Sequence, residues 1–567
     1  MSASTPKKNT FFGGAAILAA SVVLVKVIGA LYKIPLGGIL TDAAFADFNT
    51  AYYIYSLLII ISTGGLPVAL SKMVSEAHAQ GRGNQVQKVF RLAMGAFCAL
   101  GALSCAIMLF FPKQLAELMN NSHSYWSILA LAPALFFICP MSALRGYFQG
   151  HSLMTPTAVS QVIEALCKLV IGLALARMMV GTEMDESMTA GGAILGVSVG
   201  CALGMVYMFF CYGRFRLSLP KFRDVPDESG QILSTLAKLA VPITLGSSVM
   251  AVVNLLDTSI LFGRLQDAAG FSEAAARSLK GIYDKAMTLY NLPASFMVPL
   301  TASVVPAVSA ARAVKSYRQA AQISETALRT TALLALPAGV GLFVLGEPII
   351  QLLYPATDVA MAGWMLSMLG IASIFVCLML VCNSIMQAHR LVSIPVLTTV
   401  IGCVLKIIIN YVLVGNPDIN IQGAPIGTLV CFGLIALLDL VIIKLALPRS
   451  LSYVRVFAKP AASAAAMGAS VWAVYGLDSK LLLWLGSNPE SGLQTIFLAL
   501  AEDGSVLLDE AGEAILSWKG NALAAVAAIG VGVIVYFALV LLTKAISKED
   551  LALMPKGDKI ARLLRIS

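Results

Sequence analysis

Apolar runs of about twenty residues, the length that crosses a bilayer core as a helix, recur at about fourteen places in this chain. They centre near Leu24, Leu58, Leu100, Leu135, Leu169, Leu203, Val249, Val298, Leu334, Phe375, Val404, Leu434, Met467 and Val531. Polar residues are confined to the connectors between them. No soluble core could absorb this much apolar surface. The chain is 58% hydrophobic and 12% charged, whereas a soluble domain carries about 25% charged residues. The pattern predicts an all-α integral membrane protein with fourteen transmembrane helices.

The net charge of +9 does not point to nucleic acid, because the basic residues sit in short loops beside the spans. Five stretches, GRGNQVQK, YGRFRLSLPKFR, AARAVKSYR, PRSLSYVRVFAK and the tail KGDKIARLLR, hold 16 of the 39 Lys and Arg. All of these lie on the side that holds both termini, which the positive-inside rule assigns to the cytoplasm. The first span carries Lys26 at its middle and is followed by no small-residue cleavage site, so it reads as a helix and not a signal peptide. The last outer connector, about 478–519, mixes LLLWLG with acidic turns and is expected to be a loosely packed external loop, the alternatives being a segment on the membrane surface or a small cap. The basic tail is expected on the anionic inner leaflet. All ten Cys lie in apolar segments without a C-x-x-C pair, as small hydrophobes and not as disulfides or metal ligands. The four scattered His suggest no metal site.

The chain also repeats itself. Gln149-Gly-His151 faces Gln387-Ala-His389, Leu153 faces Leu391, Val162-Ile163 faces Val400-Ile401, and Lys168 faces Lys406. Gly192-Ala193 and Gly196 match Gly423-Ala424 and Gly427, while Pro67 and Pro306 each precede a small-residue stretch and a basic loop. An even number of spans per half gives parallel repeats about an axis along the membrane normal, an architecture in which two bundles rock about a central cavity. The expected organisation is a six-helix N-terminal lobe at 1–222, a six-helix C-terminal lobe at 223–459, and two extra helices at 460–567. Gly and Pro in LYKIPLGG, STGGLPVALS and NLPASFMVPL would let helices bend.

Ionisable side chains at bilayer depth cost about 2.5–3.5 kcal/mol or more and usually face a bundle interior or water. Those inside the spans are Lys26, Glu164, Lys168, Asp257, Lys406 and Asp439; Lys33, Asp42, Asp47, Arg145, Arg264 and Lys285 lie nearer the ends. Glu164 and Lys168, in SQVIEALCKLVIGLALA (160–176), are four apart and share a helical face on which they can pair. Such a pair could be silent or functional. Gly402 stands where Glu164 would repeat, so Lys406 needs another carboxylate, with Asp257 the candidate, or water. Asp439, five residues before Lys444, reads as interfacial. Lys26, Lys33, Arg145 and Lys168 give the first half a cationic interior, which suits an anion such as phosphate. An exporter of cationic drugs would want carboxylates there instead.

Three stretches resemble a known family: RGYFQGHSLMTPTAVSQVIE (145–164), NLLDTSILFGRL (254–265) and LKIIINYVLVGNPDINIQGAPIGT (405–428). They resemble SpoVB and YtgP-type polysaccharide-biosynthesis proteins, which are similar to MurJ-type lipid II flippases in the MOP superfamily of multidrug and toxin extruders. The resemblance covers about the whole chain. It implies a MATE-like transporter, not an enzyme, of the bacterial plasma membrane. Its cargo would be an undecaprenyl-pyrophosphate-linked saccharide moved from inner to outer leaflet. Lipid II is the first expectation; another lipid-linked polysaccharide unit and multidrug export are the alternatives.

In MurJ-type proteins basic residues of helix one bind the pyrophosphate. Lys26 matches the first of these; the second falls at Tyr32, beside Lys33. TDAAF resembles the family's TDAFF, which makes Asp42 the outer-gate acid. A basic residue of helix two falls on Tyr55, and the helix-eight arginine is approximated by Lys285. Asp257, Asn410 and Thr428 resemble positions that hold sodium in some relatives, but Lys406 would put an ammonium there, so no bound sodium is expected. The substrate-binding set implied is Lys26, Lys33, Arg145, Glu164, Lys168, Asp257, Arg264, Lys285 and Lys406, with Asp42 as gate. Expected partners are the lipid-linked oligosaccharide, the bilayer and cell-wall synthesis enzymes, with no cofactor and no nucleic acid. The protein would act as a monomer, driven by membrane potential or a monovalent cation.

Overall fold

The computed structural model describes residues 8–182, 184–218, 220, 222–446, 452–487, 494–500, 506–507 and 514–545. The basic tail and much of the long outer connector lie outside the described residues. Two compact units divide the chain, Met1–Gly281 and Ile282–Ser567.

The first unit contains α1 (Lys8–Ile39), α2 (Asp42–Thr63), α3 (Leu66–Ala79), α4 (Gly83–Phe110), α5 (Pro112–Leu118), α6 (Tyr125–Gly150), α7 (Thr155–Val180), α8 (Glu186–Leu217), α9 (Ser229–Gly263) and the first turns of α10 (Glu273–Ala313). At its centre is α6. Leu131, Leu135, Met141 and Leu144 are fully buried, and the helix packs against α2, α3, α4 and α8. A helix apolar all round suits that position. The second unit adds α11 (Tyr317–Val344), α12 (Gly346–Leu353), α13 (Val359–Ala388), α14 (Ser393–Leu413), α15 (Gly423–Ala446), α16 (Tyr453–Ser487), α17 (Gln494–Phe497) and α18 (Trp518–Leu542). Here α13 takes the central place, packed against α11, α12 and α15. Apart from helices, the described residues form only isolated antiparallel bridges, Leu498 with Leu516 and Leu500 with Val506.

Among the described residues, thirteen helical spans are long and apolar enough to cross a membrane. The fourteenth expected span is α16. It is continuous over 35 residues, but Ala, Ser and Gly fill its middle and leave it less apolar than the others. STGGLPVALS breaks its span instead of bending it: α2 ends at Thr63 and α3 starts at Leu66, with Pro67 in the opening turn. Proline suits that turn because its missing N–H would have no helical partner there. A Cβ on Gly65 would stand 2.1 Å from the Ala240 carbonyl oxygen, so only glycine lets α9 come this close.

The internal repeat is visible in backbone geometry. Ser152 and Arg390, at equivalent positions, both adopt left-handed φ values of 60° and 64°. Helices α6 and α13 close identically: His151 N–H reaches the Tyr147 and Phe148 carbonyls, and His389 N–H those of Ile385 and Met386. Short helices α5 and α12 follow the third span of each half. A Cβ on Gly196 would lie 2.6 Å from the Gly172 nitrogen, and one on the equivalent Gly427 would lie 2.0 Å from Asn410 Oδ1. Both glycines let two helices touch at the same place. All ten thiols are free.

Candidate functional site

Helix α7 opens with Pro156 in its first turn and presents Ser160, Glu164 and Lys168 on successive turns of one face. Arg145 reaches this face from α6. Its Nε donates to Ser160 Oγ at 2.9 Å and its Nη2 to Glu164 Oε2 at 3.2 Å. The two side chains are 13% and 25% exposed, half-buried. Ser160 Oγ in turn donates to the Thr157 carbonyl at 2.8 Å. The pairing of Glu164 with Lys168 that their spacing allows is therefore not made, because Arg145 takes the carboxylate.

Lys168 stands instead over two aromatic faces, 4.9 Å from the Tyr32 ring centroid and 5.0 Å from that of Tyr52. Among the described residues no carboxylate comes within ion-pair distance of it. A half-buried ammonium over tyrosine faces is held by their quadrupoles, worth about 0.5–2 kcal/mol. Tyr32 is fixed by its hydroxyl, which donates to the Ala193 carbonyl at 3.1 Å. Gly172 makes room for it, since a Cβ there would lie 2.8 Å from the ring. Cys201 of α8 lies within electrostatic reach of Glu164, Arg145 and Lys168 together. Arg145, Glu164 and Lys168 thus form one cluster inside the first unit.

On α1, Lys26 and Lys33 are seven residues apart and share a face, away from the exposed Leu24, Val27 and Leu31. Lys26 is exposed; Lys33 is half-buried, 5.9 Å from the Phe45 ring centroid. Asp42 opens α2, where Thr41 Oγ1 accepts the Ala44 N–H at 3.2 Å. Asp257 is buried in α9 and Arg264 lies half-buried at the end of that helix. These two are not in the Arg145 cluster.

In the second unit Lys285 is buried 5.5 Å from the Tyr354 ring centroid, and Lys406 is buried in α14. Asp439 is fully buried, because α15 packs this face against α13 and α14. Thr398 Oγ1 donates to its Oδ1 at 2.8 Å.

A buried ion pair in the first unit joins residues that no local pattern brings together. Arg277 grips Asp47 at two points, Nε to Oδ1 at 3.0 Å and Nη2 to Oδ2 at 2.6 Å. Asn121 Nδ2 also donates to Asp47 Oδ1, at 3.0 Å, and Glu186 lies 3.8 Å from Arg277 Nη2. Nearby Lys280 is buried, 5.6 Å from the Tyr53 ring centroid. Helix α10 begins at Glu273, well before the apolar centre at Val298, and spans 41 residues. The spacing of Arg277, Lys280 and Asp284 on one helical face was the available signal.

Outside the spans, the connector after α8 is fastened to the start of α4. Asp224 accepts the Asn84 and Gln85 N–H groups at 2.7 and 2.8 Å, and Asp227 accepts Arg82 at 2.7 Å. Burial acts against the Asp224 charge, but these backbone donors outweigh it and hold its carboxyl below the usual range. The Asp227 carboxylate raises the Arg82 guanidinium.

Duplicated helical bundles in one chain, each with a central buried span, give the fold seen in solved MOP-superfamily proteins. A solved structure described as lipid II flippase MurJ in an inward closed conformation matches with a TM-score of 0.64, covering 93% of this chain and 98% of that one at 14% identity. An inward-facing multidrug resistance MATE transporter matches at 0.63, covering 76% and 98% at 14% identity. Within that class the chain belongs to the polysaccharide biosynthesis protein family, whose model matches residues 11–312, more than half of it. The MatE model matches residues 281–412. Stage V sporulation protein B of Bacillus subtilis (strain 168) is 24% identical over 449 residues, 78% of this chain and 85% of the relative. Lipid II flippase MurJ of the same organism is 24% identical over 418 residues, 71% of this chain and 77% of the relative.

Proposed function

We propose that this protein flips a lipid-linked saccharide pyrophosphate, lipid II first among them, from the inner to the outer leaflet by alternating access. The observation that carries the reading is the Arg145–Glu164–Lys168 cluster, which holds two cations and one carboxylate within the first unit. A half-buried net positive charge favours an anionic group over a cationic drug, and guanidinium with ammonium suits phosphate oxygens. The naming of a Bacillus subtilis relative as a lipid II flippase supports the same cargo. In this reading Lys26 and Lys33 meet the pyrophosphate first, Lys168 and Arg145 hold it deeper, and Asp42 serves the outer gate. Both termini lie in the cytoplasm. An interior-negative potential favours outward movement of the headgroup by about 2.3 kcal/mol per charge per 100 mV.

The decisive experiment is a leaflet-specific assay with lipid II in proteoliposomes, paired with complementation of a flippase-depleted strain. Lys26→Ala should abolish both, and Lys26→Arg should largely keep them. Normal flipping by Lys26→Ala would refute the assignment. Transport of a cationic dye without lipid II movement would favour a drug exporter.

A further inference from the structure

We infer that Glu164 is a built-in stand-in for the substrate's anion. It neutralises Arg145 while the site is empty and is displaced when a pyrophosphate arrives. The inference rests on the reading of an anionic cargo given above.

Arg145 is held at two of its nitrogens, Nε by Ser160 and Nη2 by Glu164. Among the described residues its Nη1 has no hydrogen-bond partner. Glu164 thus makes a single-point contact with a group built for two-point recognition of carboxylate or phosphate. A pyrophosphate could engage the open edge of the guanidinium and then replace the single glutamate bond. One helical turn further on, Lys168 offers an ammonium with no carboxylate beside it to compete. Departure of the cargo lets Glu164 return, which keeps Arg145 compensated and helps release.

The repeat argues that helix packing does not require this ion pair. The second unit keeps the hydroxyl and the ammonium, with Thr398 in place of Ser160 and Lys406 in place of Lys168. At the places of Arg145 and Glu164 it has Asn383 and Gly402. Gly402 packs there against Ile435 and the Cys431 carbonyl. The same pair of helices therefore assembles without either charge. What the first unit adds is a cation and a removable counter-charge.

The test uses the full chain in lipid nanodiscs, with farnesyl pyrophosphate as probe and binding followed by calorimetry. Glu164→Gln should bind about tenfold tighter than the parent, a difference of about 1.4 kcal/mol, and Lys168→Gln about tenfold weaker. With Arg145→Gln in place, Glu164→Gln should no longer tighten binding, since coupled residues are not additive. Glu164→Gly, which copies the second repeat, is the companion variant if the first fails to fold, with the same expected direction. Glu164→Gln binding equal to or weaker than the parent, while Lys168→Gln still weakens it, overturns the inference and leaves the anion reading intact. Absence of probe binding by the parent, or indifference to Lys168→Gln, overturns the anion reading and the inference with it.

Discussion

Removing Arg277 should destabilise the first unit by stranding a buried carboxylate. Asp47 is 0% exposed and Arg277 5%, so Arg277→Met leaves a carboxylate in the apolar interior without its ion-pair partner. Breaking a buried pair from one side costs about 3–5 kcal/mol. Asn121 still donates to Asp47 at 3.0 Å and Ser187 at 3.4 Å, which places the expected loss near the lower bound, about 3 kcal/mol. Glu186 adds little, because it is 46% exposed and such pairs are worth about 0–1 kcal/mol. The double variant Asp47→Asn with Arg277→Met removes the stranded charge and should recover about 2 kcal/mol of the loss, since a buried pair replaced from both sides is often near neutral. Chemical unfolding in detergent micelles, followed by circular dichroism and by labelling of the buried Cys139 and Cys201 thiols, reads both values. Arg277→Met within about 0.5 kcal/mol of the parent, or a double variant as unstable as the summed singles, would refute the reasoning.

Two further outcomes follow from packing and titration. Gly172→Leu should displace Tyr32, whose ring would lie 2.8 Å from the new Cβ, and lower stability by about 1–3 kcal/mol through overpacking. Gly246→Ala, with nothing within 4 Å of the added atom, is the matched control and should leave the melting temperature unchanged or slightly raised. His389, just past the end of α13, is pushed down to about 4 by burial and by the Arg312 guanidinium. An unfolded chain takes up that proton near pH 6.5, so the contribution is complete above that pH and is lost as pH falls toward 4. His389→Gln should flatten the decline in melting temperature between pH 6.5 and 4.5; an undiminished decline would count against the assignment.

Span positions, the duplication and the charge-bearing segments were legible because each is a local property of twenty or so consecutive residues. An apolar run long enough to cross a bilayer must satisfy its own backbone, so it is a helix wherever its neighbours lie. Even Ser160, Glu164 and Lys168 could be put on one face from their spacing alone. Partner choice was not legible. Glu164 had an ammonium four residues away in sequence and took a guanidinium from the preceding helix. Asp47 found Arg277 from 230 residues away.

Such choices depend on how each helix is rotated about its own axis and how near its neighbour comes. Small residues decide this, as where Gly196 rests on Gly172. Local pattern therefore determined that this chain is a duplicated helical membrane protein with charges sunk in its first half. Only the tertiary structure decided that Lys168 faces two tyrosines, and that Asp439 is buried in the second unit. A charge buried in low dielectric is stabilised by whichever group packing brings within about 4 Å, and sequence order does not set that distance.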